Sequence, residues 1–159
     1  MGHHIFGFIA PTDELEVAAS ELPGARTASL ADGFAFLPLS GPFHDEEDPA
    51  AHAATIKLTT PLVEWAARQS NRFPIAYIET DYFGGRGVQA AIVWSKGTVI
   101  FGAAATPDFT SFEKPRPPQA GGAINQALRR LGVARRPSLD EFDTLGLGRH
   151  RDNAAWRGE

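Results

Sequence analysis

The sequence predicts an α+β fold, a single domain over 1–159 with a largely antiparallel sheet packed by helices. Three observations carry that expectation. Residues 75–103 run through three extended segments rich in β-branched and aromatic residues: Ile75–Phe83, Val88–Ser95 and Thr98–Ala103. Gly84-Gly85-Arg86-Gly87 joins the first pair and Lys96-Gly97 the second, and joints this short suit antiparallel neighbours, because parallel strands need a crossover of about a dozen residues or more. Elsewhere strand and helix patterns are grouped instead of strictly alternating, which favours α+β over α/β. About five strands and four helices are expected, with no internal repeat and no linker.

The elements follow from local signals. His4–Ala10 alternates weakly and reads as the first strand. Thr12 is placed to cap a helix from Asp13, whose early acids complement the helix dipole; Leu15, Ala18, Ala19 and Leu22 share one face and Pro23-Gly24 ends it. Phe34–Leu39 is a short apolar strand in which Pro38 marks an edge or an end. Residues 40–53 read as a loop carrying four consecutive acids, Asp45, Glu46, Glu47 and Asp48. Thr60-Pro61 starts a helix that runs to Gln69 or Ser70, with Leu62, Trp65, Ala66 and Gln69 on its inner face. Residues 104–120 hold four prolines and read as an exposed loop. Ala123–Leu131 is amphipathic and stops at Gly132. Ser138-Leu139-Asp140-Glu141 has the form of a capping box for a short helix docked by Leu139, Phe142 and Leu145. The tail is expected to fray beyond Trp156.

Composition narrows the function classes. The chain has 159 residues and no cysteine, so disulfides, thiolate metal sites and cysteine nucleophiles are excluded, and a reducing, cytoplasmic setting fits. A chain of this size needs neither metal nor disulfide to fold. The N-terminus lacks the features of a signal peptide, and no apolar run approaches the roughly 18 residues of a membrane helix. The net charge is −4, but residues 1–60 carry nine acids against Arg26 and Lys57, whereas the remainder is net positive. Mild acidity argues against nucleic acid as the main partner.

The glycine-rich joint 84–87 has the look of a phosphate loop, yet the segment after it is β-like and supplies no helix N-terminus, so a strand connection is the better reading. Tyr77, Glu79 and Asp81 alternate onto one face of their strand, with Arg86 and Gln89 near in sequence. Two carboxylates so spaced are an acid/base pair or a hard-cation site when they converge, and otherwise a solvent-facing or partner-facing surface, which is the commoner case. The five histidines show no zinc-protease spacing, His44-Asp45 lacks recognisable further ligands, and no serine-hydrolase elbow is present. Val88, Ala90, Ile92 and Trp94 lie on one face of the second meander strand, and Gln89, Ala91 and Val93 make the other face apolar as well. That strand is therefore covered on both sides by the protein, or on one side by a partner.

The runs AYIETDYFGGRGVQAAIVW, INQALRRLGV and DEFDTLGLGRH resemble a family of small bacterial proteins associated with immunity to polymorphic toxins. The resemblance spans Ala76–His150. It implies a non-enzymatic protein that neutralises a cognate toxin, and it assigns no catalytic residue. On this reading the contact residues are Asp45, Glu46, Glu47, Asp48, Tyr77, Glu79, Asp81, Tyr82 and Arg86, with no cofactor and no metal. The alternatives are a small enzyme or ligand-binding domain around Glu79, Asp81, Arg86 and His44, and a homodimer or larger oligomer that buries the apolar meander.

Overall fold

The computed structural model describes residues 3–39, 58–83, 86–102, 106–109 and 122–159. Among the described residues seven strands form one sheet: β1 (Phe6–Pro11), β2 (Ala28–Ser29), β3 (Phe34–Pro38), β4 (Ile75–Phe83), β5 (Arg86–Ser95), β6 (Thr98–Phe101) and β7 (Thr106–Phe109). The helices are α1 (Thr12–Ala19), α2 (Thr60–Gln69), α3 (Ala123–Arg130), α4 (Glu141–Leu145) and α5 (Asn153–Trp156). The strand order is β2-β3-β1-β4-β5-β6, every ladder is antiparallel, and β7 shares the outer edge of β5 with β6.

Period-two alternation divides the strands between two cores. Phe8 and Ala10 of β1, Ala35 and Leu37 of β3, Ile75 and Tyr77 of β4, and Ala90, Ile92 and Trp94 of β5 point to one side. There they meet Leu15 and Ala18 of α1 and Leu62, Trp65 and Ala66 of α2. Ile9, Phe36, Ala76, Ile78, Ala91 and Val93 point to the other side, against Ile124, Ala127 and Leu128 of α3, then Leu145, Leu147 and Trp156. Burying each large apolar side chain is worth about 1.5–3 kcal/mol, so a sheet sandwiched on both faces draws its stability from two cores. The double apolar character of β5 is thus satisfied within the chain by helices on either side.

Close approach between strands fixes one residue type. A Cβ on Gly7 would lie 2.1 Å from the Leu37 carbonyl oxygen and 2.8 Å from the Phe36 ring, so β1 and β3 pack together only around a glycine. The β5–β6 hairpin turns at Lys96 (φ 53°) and Gly97 (φ 81°), the two positive φ values that a type I′ turn requires. Its tip is held by the end of α2, where the Ser70 carbonyl accepts from Lys96 N at 2.8 Å and Ser70 Oγ accepts from Gly97 N at 2.9 Å.

Several sequence expectations are corrected. β4 and β5 pair as far as Phe83 with Arg86, so Arg86 and Gly87 belong to a strand and only positions 84 and 85 lie between the two. Residues 106–109, expected within a loop, form β7, whose Pro107 sits beside Val88 on an edge, where a missing N–H is tolerated. β3 is not an edge strand; Pro38 ends it, beyond the short reach of β2. α1 starts at Thr12 itself, after Pro11, with no side-chain cap. The cap of α4 is Asp140, which accepts from Asp143 N at 2.8 Å; Ser138 stands outside at φ 66°, and Leu139 is exposed.

The C-terminus is tied down, not frayed. Asn153 holds both polar groups of Phe6, accepting from its N at 3.0 Å and donating to its O at 2.8 Å, and also donates to Leu39 O at 2.8 Å. Arg157 donates to the same Leu39 carbonyl at 2.8 Å, and Asp152 forms a parallel bridge with His4. No helix among the described residues is long and apolar enough to cross a membrane.

Candidate functional site

β4 lies between β1 and β5, and its residues 77–81 carry the polar groups singled out in the sequence. Tyr77 is flanked by Phe8 and Ile92, and Glu79 by Phe6 and Ala90. The Tyr77 ring packs on Phe8 at 5.5 Å, and Phe8 in turn meets Trp65 at 5.1 Å. With both side chains on the same face, the Tyr77 hydroxyl donates to Glu79 Oε2 at 3.2 Å. Burial pushes the Tyr77 phenol well above its ordinary pKa, and the adjacent Glu79 carboxylate, which would repel a phenolate, adds to the shift. The pair therefore works as a neutral donor to a carboxylate.

Exposure changes abruptly along this strand. Tyr77 and Ile78 are fully buried, Thr80 is 2% and Glu79 4% exposed, yet Asp81 is open to solvent. The expectation that Tyr77 and Glu79 belong to an outward surface is corrected: the two-residue period does place them with Asp81 on one face, but that face is roofed up to Glu79. Of the two carboxylates, Glu79 is enclosed and Asp81 is solvated. The backbones of Tyr82 and Arg86 belong to β4 and β5, and their side chains lie outside what is described. His44 and Asp45, Glu46, Glu47 and Asp48 also lie outside the described residues.

The opposite face of β4 is locked by hydrogen bonds. Thr80 Oγ1 accepts from Ile5 N at 3.0 Å and is bonded to His3 Nδ1 at 2.8 Å. Burial holds the His3 imidazole below its ordinary pKa, so it is kept toward the neutral form. Across the ladder from Thr80, Gln89 Oε1 accepts from Ile124 N at 2.8 Å, supplying an acceptor for one free amide in the first turn of α3.

A second polar cluster joins α3 to α4, and the sequence reading missed it. Asn125 donates to Asp140 Oδ2 at 3.1 Å and accepts from Phe142 N at 3.0 Å. Glu141 is 1% exposed, with Arg129 Nε 3.6 Å from its Oε1, while its buried Oε2 has no hydrogen-bond partner among the described residues. The Asp143 carboxyl is raised by burial and then by Asp140. Asn125 sits on an otherwise apolar helix face, and that interruption of the pattern was the available signal. Among the described residues no group of three or more His, Asp or Glu is arranged to hold a metal ion.

No protein-family model matches the chain, and no match was found among curated proteins or among solved structures.

Proposed function

We propose that this is a non-enzymatic binding protein of the immunity type, which neutralises a cognate bacterial toxin in the cytoplasm by occluding it. The observation that supports this reading is the change of environment between Glu79 and Asp81. The central strand spends its inner carboxylate on a buried phenol and carries the next acid of the same face out beyond the roof. An exposed carboxylate on a rigid strand is a preorganised contact for a basic partner, and such charges act chiefly on specificity and association rate. The resemblance of residues 76–150 to toxin-immunity proteins points the same way. The acidic run Asp45–Asp48, which lies outside the described residues, is proposed as a further contact for the same partner.

The test is co-expression with a candidate toxin from a neighbouring reading frame. Growth should be rescued by the wild-type chain and lost when Asp81→Lys is combined with alanine at Asp45, Glu46, Glu47 and Asp48. Absence of rescue by the wild-type chain, or full rescue by the combined variant at equal abundance, contradicts the proposal.

A further inference from the structure

The segment between α3 and α4 carries a feature that toxin binding does not use. Residues 134–139 are exposed without interruption, and they read Ala-Arg-Arg-Pro-Ser-Leu. Ser138 is the only serine of the chain with arginine both two and three residues before it. Its hydroxyl makes no hydrogen bond among the described residues, and Leu139 after it is 38% exposed. Arg135, Arg136, Ser138 and Leu139 line one shallow surface groove. Few contacts hold the segment: the Leu139 amide donates to the Arg136 carbonyl at 3.1 Å, the Arg136 amide to Thr144 Oγ1 at 3.0 Å, and the Arg136 guanidinium to Asp32.

We propose that Ser138 is a phosphoacceptor for an arginine-directed serine kinase. Two guanidinium groups before the hydroxyl fit acidic subsites, and an exposed leucine after it fits an apolar one; kinases select substrates by such charge patterns. In the transfer, Ser138 Oγ bonds to the γ-phosphorus of a nucleoside triphosphate. The bond from that phosphorus to the bridging oxygen breaks, the nucleoside diphosphate leaves with the electron pair, and the hydroxyl proton passes to the kinase base. The product has a local consequence. Arg136 Nη2 pairs with Asp32 Oδ1 at 2.7 Å, and this exposed contact ties the segment to the turn before β3. A phosphate bearing about −1.5 to −2 charges two residues from Arg136 competes for that guanidinium and frees Asp32.

The experiment treats the folded full chain with the catalytic subunit of an arginine-directed serine kinase and adenosine triphosphate. Intact mass and fragment masses should show a single added phosphate, located on Ser138. Ser138→Gly, which accepts the positive φ, should take up none, and Arg135→Ala and Arg136→Ala should each slow transfer about tenfold or more, the usual effect of losing a charge-assisted contact. In the phosphorylated chain the amides of residues 30–34 should exchange faster with solvent. No phosphate on the wild-type chain, or equal uptake by Ser138→Gly, overturns the site; unchanged exchange at residues 30–34 overturns the release of Asp32.

Discussion

The Tyr77 hydroxyl donates to the Glu79 carboxylate 3.2 Å away, and both side chains are buried in the middle of the sheet. Removing the donor leaves a buried carboxylate with one partner fewer, which costs about 1–3 kcal/mol. Tyr77→Phe should therefore lower unfolding stability by that amount, although the apolar ring still fits. Chemical denaturation checks it, and a change near zero would mean that the hydroxyl contributes nothing.

The same pair sets the response to alkali. An unfolded chain releases the Tyr77 proton near its ordinary value of 10.0, whereas the folded chain holds it to well above that pH. Between those two values the unfolded state binds fewer protons, so this stabilisation is complete below about pH 10 and is lost as pH rises beyond it. Denaturation midpoints measured across that range should fall more steeply for the wild-type chain than for Tyr77→Phe. Parallel slopes would contradict the assignment.

Gly7→Ala should be among the most damaging single changes. Its new methyl would meet the Leu37 carbonyl at 2.1 Å, and neither β1 nor β3 can withdraw without breaking its ladder. A loss of about 3 kcal/mol or more is expected, the upper range for overpacking. Thermal unfolding measures it, and a stable Gly7→Ala variant would show that the two strands lie further apart than described.

Asn153 bonds both polar groups of Phe6, so Asn153→Ala should cost about 1–3 kcal/mol by removing an acceptor from the Phe6 amide and one donor each from the Phe6 and Leu39 carbonyls. Asn153→Asp should be no better, because a carboxylate would face the Phe6 and Leu39 carbonyls. Hydrogen exchange at Phe6 reads the effect directly: its amide should lose protection in both variants, and retained protection would reduce Asn153 to a surface residue.

Much of this architecture was legible from local pattern. The inner faces of α2 and α3 follow from helical spacing, and the Lys96-Gly97 turn follows from glycine chemistry. What failed depended on which neighbour arrives from far along the chain. Alternation placed Tyr77 and Glu79 on one face, but whether that face is covered depends on α1 and α2, which no local period reveals. Asp140 displaced Ser138 as cap because Asn125 holds it in place, and the docked tail rests on contacts more than a hundred residues apart in sequence. The Asp45–Asp48 run could be read from sequence only as a charge cluster.

The central claim is that the exposed end of β4 serves a partner while its buried half serves the fold. Growth rescue against a candidate toxin, comparing Asp81→Lys with Tyr77→Phe at matched protein levels, separates the two roles. Asp81→Lys should weaken rescue without loss of stability, and Tyr77→Phe should lose stability while still protecting cells. Full protection by Asp81→Lys would contradict it.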